Sequence, residues 1–122
     1  VYVWADEYMI EEVFTNYLTN AIHYVREGGV IRIYFKKIGT DVRVCVYNQG
    51  DWIAQEDIGR VFEKFYKADK ARTREYGGNG IGLSIVAATM EAHGKKYGVE
   101  NVADGVMFYF DLDANVLADE GN

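Results

Sequence analysis

Apolar residues recur at helical spacing over residues 7–25 and then switch to strand-like runs. On a wheel of about 100° per residue, Ile10, Val13, Phe14, Tyr17, Leu18, Ala21, Tyr24 and Val25 share one broad arc. Glu11, Thr15 and Thr19 lie opposite. Asp6 supplies an N-cap, Glu7 suits the positive end of the helix, and Gly28-Gly29 stops it. Residues 30–37 and 41–47 are rich in β-branched and aromatic side chains and flank Gly39-Thr40, which predicts a hairpin. Residues 53–65 predict a short helix or two turns, and residues 67–79 a polar loop ending in glycines. A second long helix is predicted over residues 80–93, closed by Gly94. Residues 97–101 and 106–112 predict a closing hairpin about Ala103-Asp104-Gly105, with a loose acidic tail after it. Helices and strands occur without regular alternation. That predicts an α+β sandwich, with helices on one face of a mixed sheet.

Composition narrows the picture. The 122 residues fit one domain, read as residues 1–113 with a tail at 114–122. At 49% hydrophobic, the chain can build a core without disulfides or metals. A net charge of −6 argues against nonspecific nucleic-acid binding and against contact with an anionic membrane surface. The single cysteine, Cys45, lies in an apolar run and reads as a small buried hydrophobe in a reducing compartment. No run is long enough to span a bilayer, so a membrane anchor of a parent protein is expected outside residues 1–122. The chain opens without Met inside a strand-like run, which suggests a piece of a longer protein.

Glu12, Asn16, Asn20 and His23 form a third arc on the first helix, beside Val13 and Tyr24. Asparagine is a poor helix former, because its side chain competes for backbone hydrogen bonds. Two of them four residues apart admit two readings. One is the polar wall of a nucleotide pocket, with carboxamide oxygens as hard ligands for Mg²⁺, an imidazole for phosphate and a tyrosine ring for a base. The other is the wet edge of an ordinary amphipathic helix.

Residues 77–84, GGNGIGLS, place four glycines at the mouth of the second helix. Glycines let backbone N–H groups turn toward one point, and a helix N-terminus favours phosphate oxygens. The stretch follows no strand, so it is not a dinucleotide fingerprint, and it lacks the Lys-Ser/Thr ending of a P-loop. A glycine-rich hinge remains the alternative. Just before it, Lys64, Lys67, Lys70, Arg72 and Arg74 outnumber Glu63, Asp69 and Glu75, a local basic excess in an acidic chain. Triphosphate binding needs such charge, and a solvated loop tolerates it. After the first hairpin, Asn48-Gln49-Gly50 puts a side-chain amide before a glycine turn. It reads as a base-edge contact with room for the ring, or simply as a turn.

Together these segments resemble the catalytic domain of bacterial sensor histidine kinases. Asn16, Asn20, Ala21, His23 and Tyr24 match its N box, and Asn48, Gly50 and Ile53 its G1 box. Phe62, Phe65 and Tyr66 match its F box, and Gly78, Gly80, Ile81, Gly82, Leu83 and Ser84 its G2 box. The resemblance covers about residues 1–113, in order and at matching spacing. It implies the Bergerat-type ATP-binding fold, a two-layer α/β sandwich with a mostly antiparallel mixed sheet under about three helices. It also implies ATP and Mg²⁺ as cofactors and transfer of the γ-phosphoryl group to a histidine. Asn20 would hold Mg²⁺ with Asn16 in support, His23 would touch phosphate and Tyr24 would pack on adenine. Asn48 would read the base edge above Gly50 and Ile53. Residues 67–76 would form a lid, mobile without nucleotide, with Lys67 and Arg72 on the phosphates. Gly78, Gly80 and Gly82 would close over them. Phe65, Tyr66, Ile81 and Leu83 complete the implied nucleotide site, and Asn16 and Lys67 are the implied catalytic residues.

The resemblance further implies partners. The accepting histidine would sit on a separate helical dimerisation domain, and a response regulator would follow it. Neither His23, in the pocket wall, nor His93, at a helix end, suits that role. The parent protein would be membrane-anchored with this domain in the cytoplasm. Four positions depart from the family pattern. His23 stands where Lys or Arg is usual, Asn48 where many members have Asp, Trp52 where glycine is common, and Gly105-Val106 where a Gly-Thr pair is common. The alternatives are an ATPase or serine kinase of the same superfamily, which typically carries Glu where Asn16 stands, and a non-catalytic scaffold.

Overall fold

β5 (Gly105–Ala114) is a nearly continuous apolar strand, and the sheet is assembled around it. The computed structural model describes residues 3–4, 7–64, 66 and 82–114. Its elements run β1 (Val3–Trp4), α1 (Glu7–Tyr24), β2 (Ile31–Ile38), β3 (Asp41–Gln49), α2 (Gln55–Ile58), α3 (Gly82–Ala92), β4 (Tyr97–Val102) and β5. β5 pairs with β3 on one side and with β4 and β1 on the other, and β2 flanks β3. All four described pairings are antiparallel, so none of them supplies the parallel pair a mixed sheet requires. Short turns explain two of them, β2–β3 and β4–β5, because both expected hairpins form and adjacent strands joined tightly must run antiparallel; the β1–β5 and β3–β5 pairings are long-range. Ala114 closes β5 opposite Val3. Asp6 and the tail residues 115–122 lie outside the described residues.

The strand period of two sorts side chains between faces. Val44, Val46, Val106, Phe108, Phe110 and Leu112 join Met9, Val13, Tyr17 and Ala21 of α1, Val61, and Val86 and Met90 of α3 in one core. The sandwich is therefore two-layered, with the described helices on one face. α1 buries a narrower stripe than the wheel predicts: Met9 enters it, while Leu18, Tyr24 and Val25 stay half-buried. Tyr17 is fully buried with its ring 5.2 Å from Phe108, and its hydroxyl donates to the Tyr109 carbonyl at 2.9 Å. Burial holds that phenol far above its ordinary pKa.

α3 ends as the sequence predicts. Gly94 takes φ +65°, the Lys95 N–H bonds the Met90 carbonyl and the Gly94 N–H bonds the Glu91 carbonyl. This paired closure satisfies carbonyls that a helix end leaves open. On the opposite face of the sheet, Cys45, Tyr47 and Met107 pack with Tyr34, Val102 and Tyr109. Burial pushes the Cys45 thiol up, so it stays neutral.

Candidate functional site

Asn48 is the polar intruder in the inner-face row of β3, after Val44 and Val46. It lies between Ile31 of β2 and Val106 of β5, only 2% exposed. Its Nδ2 is a buried donor with no hydrogen-bond partner among the described residues. Unpaired buried donors are rare, because each forfeits its water without recompense, so this one asks for an explanation. Val106, at the position where a hydroxyl was expected to be missing, is core and nearly sealed.

The chain turns beside that amide. Gly50 lies so close to the end of α1 that an added Cβ would stand 2.9 Å from the Tyr24 carbonyl and 3.4 Å from Asn48 Nδ2. Only a bare Cα fits there. A clasp holds the turn: Arg26 N–H bonds the Gln49 carbonyl at 2.7 Å, and Gly50 N–H bonds the Asp104 carbonyl at 3.1 Å. The Asp104 carboxylate accepts from Arg26 Nη2 at 3.0 Å and from the Gln49 amide, which hold its pKa below the ordinary carboxylate range. Asp104 takes φ +59°, a left-handed conformation that Asp tolerates in tight turns.

Asn101 of β4 secures the next segment. Its Oδ1 accepts the Ile53 N–H at 3.0 Å, and its Nδ2 donates to the Ile53 carbonyl at 2.9 Å. The Ile53 side chain packs against the core. Trp52 is 64% exposed, and its indole N–H donates to the Val102 carbonyl at 2.7 Å. The ring is thereby pinned to the β4–β5 hairpin. Arg26, Gln49, Asn101 and Asp104 were not among the expected site residues. Asn101 had a legible signal, a polar residue in register with Tyr97 and Val99 on the inward face.

The amide edge of α1 meets the start of α3. Asn16 Nδ2 donates to the Glu12 carbonyl at 2.8 Å, which fixes the amide, and a Cβ on Gly82 would stand 2.8 Å from Asn16 Oδ1. Asn20 is half-buried, and its side chain has no hydrogen-bond partner among the described residues. His23 and Tyr24 are half-buried with rings 4.6 Å apart, edge to face. Leu83 leans on the core. Tyr66 is turned to a local task, its hydroxyl donating to Asp57 of α2 and its ring lying under the Arg60 guanidinium at 4.5 Å. Phe65, Lys67, Arg72, Gly78, Gly80 and Ile81, and with them the expected lid, lie outside the described residues.

α1 therefore touches the two glycine turns that the sequence singles out, Gly82 at Asn16 and Gly50 at Tyr24. At about 1.5 Å rise per residue, those contacts are roughly 12 Å apart along one helix. Among the described residues no cluster of His, Cys, Asp or Glu could hold a metal by itself, and no helix is long and apolar enough to cross a membrane.

Comparison with known proteins gives this geometry a context. The family described as "Histidine kinase-, DNA gyrase B-, and HSP90-like ATPase" matches residues 5–116. The sensor protein VanSB of Enterococcus faecalis is 36% identical over 110 residues, 90% of this chain and 25% of that protein. The chain thus spans about a quarter of that relative's length. The catalytic domain of the histidine kinase ThkA, in a nucleotide-free form, superposes with a TM-score of 0.78 at 35% identity, covering 92% of this chain and 71% of that one. Full-length ShkA in complex with AMPPNP superposes with a TM-score of 0.76 at 27% identity, covering 93% of this chain and 23% of that one. With nearly its whole length matched and its glycine turns gathered on one helix, the chain belongs to the histidine kinase-, DNA gyrase B- and HSP90-like ATPase family.

Proposed function

We propose that this chain binds Mg-ATP between α1, the Asn48–Gly50 turn and the start of α3. It then donates the γ-phosphoryl group to a histidine on a separate dimerisation domain, as the kinase domain of a sensor histidine kinase. The observation that carries the proposal is the double contact of α1, with Gly82 at Asn16 and Gly50 at Tyr24. ATP supplies the transferable phosphoryl group, and phosphoryl transfer asks the protein for positioning and charge rather than covalent help. Asn20 fits Mg²⁺, because its half-buried carboxamide is uncommitted among the described residues and offers a hard oxygen. Mg²⁺ keeps several waters and leans on phosphates, so a dedicated carboxylate cage is not required. Asn16, locked by its bond to Glu12, would steady the start of α3 where phosphate oxygens would lie. Asn48 and Gly50 would receive the base, and Tyr24 would flank it.

Asn16 cannot accept a proton, which disfavours a self-sufficient hydrolase. At the end of α3 the His93 Nδ1 bonds the Thr89 carbonyl at 2.9 Å, the capping arrangement expected of a helix end, and the acceptor histidine is proposed to lie on another domain. A response regulator is the proposed next recipient, and the cytoplasmic side of a membrane the proposed location of this domain.

The test is calorimetric titration with a non-hydrolysable ATP analogue, with and without Mg²⁺, followed by phosphotransfer to a separately expressed dimerisation domain. Asn20→Ala should weaken Mg-dependent binding at least about tenfold, roughly 1.4 kcal/mol, without lowering the unfolding midpoint. Unchanged Mg-dependent affinity would remove Asn20 from the metal site. No analogue binding at all would refute the proposed function.

A further inference from the structure

Asn48 differs chemically from a carboxylate of the same size and shape. A carboxylate only accepts hydrogen bonds, whereas an amide accepts through Oδ1 and donates through Nδ2. Here the donor is the atom without a partner among the described residues, in a side chain 2% exposed. Its neighbour Gly50 packs directly beside it without a side chain: an added Cβ would come within 3.4 Å of Nδ2 and 2.9 Å of the Tyr24 carbonyl. Neighbouring side chains in the same row, Ile31 and Val106, are apolar and compete for neither edge of the amide. Asn101, across Val106, is fully engaged with the Ile53 backbone.

We propose that Asn48 relaxes the base specificity of this site, so that it takes purine nucleoside triphosphates with a 6-oxo group as well as those with a 6-amino group. This inference rests on the nucleotide reading of the site. A 6-amino group donates, and Oδ1 accepts from it. A 6-oxo group accepts, and Nδ2 donates to it. Rotation of the amide plane exchanges the two edges. A carboxylate in the same place faces a 6-oxo oxygen with lone pairs only. Sites built around one polar partner reject the mismatched analogue by as much as about 10⁴-fold, because a buried group is left unpaired. The amide removes that penalty.

Inosine triphosphate is the cleanest probe, since it differs from ATP at the 6-position without adding the 2-amino group of guanine. Non-hydrolysable ATP and ITP analogues would be titrated calorimetrically into the 122-residue chain with Mg²⁺, alongside Asn48→Asp. The wild-type affinities should agree within about tenfold. Asn48→Asp should raise the ratio of ATP-analogue to ITP-analogue affinity by a further factor of at least about thirty. Nucleotide-induced shifts in the unfolding midpoint should follow the same order. A wild-type preference for ATP above about a hundredfold would overturn the inference, as would an unchanged ratio in a folded Asn48→Asp protein. The wild-type ratio decides alone if that variant does not fold. Binding of ATP with rejection of ITP sinks this inference only, whereas binding of neither sinks the nucleotide site and the inference with it.

Discussion

At the scale of single residues, the site depends on side chains that are missing. A Cβ at Gly50 would press on backbone atoms, the Tyr24 carbonyl and the Arg26 N–H, and neither can swing aside. Gly50→Ala should therefore cost about 1–3 kcal/mol of stability and abolish nucleotide binding, read by urea denaturation and calorimetry. A Cβ at Gly82 would meet Asn16 Oδ1, the end of a side chain that can move only by giving up its exposed bond to the Glu12 carbonyl. Gly82→Ala should leave stability within about 0.5 kcal/mol and still weaken ATP. Gly59 has open space around its Cα and serves as the control, expected to be neutral in both assays. The asparagine spacing on α1 is legible in the sequence, because 3.6-residue periodicity places residues on faces. Asn101 was harder to read, since its value lies in reaching Ile53, which only the folded chain brings near.

Elements show how the sheet tolerates charge. Arg43 and Asp111 are cross-strand partners on β3 and β5, joined by two hydrogen bonds of 2.7 and 3.0 Å. Asp111 is completely buried, and the guanidinium lies 4.1 Å from the Tyr109 ring centroid. Breaking such a pair strands its partner, so Asp111→Ala should cost about 3–5 kcal/mol. Arg43→Met combined with Asp111→Leu should recover most of that loss, measured as urea midpoints. If the single and double variants are equally unstable, the pair is not what Asp111 contributes. The hairpins were legible because turn chemistry and alternation are local signals. The all-antiparallel pairing of the described strands was not, since β5 takes three partners and two of those contacts, to β1 and β3, are long-range.

At the scale of the whole molecule, one clasp ties the end of α1, the end of β3 and the β4–β5 turn. Its centre is Asp104, whose pKa is lowered first by the Gln49 amide and then by Arg26. A lowered folded pKa contributes stability above the unfolded value, and this is lost as pH falls through the folded value. Wild type should therefore be more stable than Asp104→Asn at neutral pH, and the gap should close below the ordinary Asp value of 3.8, read as unfolding midpoints against pH. At the alkaline end the signs reverse. Tyr97, pushed up to about 12 chiefly by its bond to Glu91, and the buried Cys45 and Tyr17 hold their protons in the folded state. Stability they contribute is complete below their unfolded values and is lost as pH rises through the folded ones. A gap between wild type and Asp104→Asn that persists unchanged at acid pH would remove the clasp as its source.

Local order in the sequence determined the elements, their apolar faces, the glycine turns and the family resemblance, because periodicity and turn chemistry act over a few residues. Which of those parts meet was decided by tertiary structure. Gly82 against Asn16, Gly50 against Tyr24, Asn101 on Ile53 and Asp104 between Arg26 and Gln49 all join residues far apart along the chain. Such contacts form only when the sheet closes around β5 and brings distant segments to the same end, a condition that no local pattern encodes.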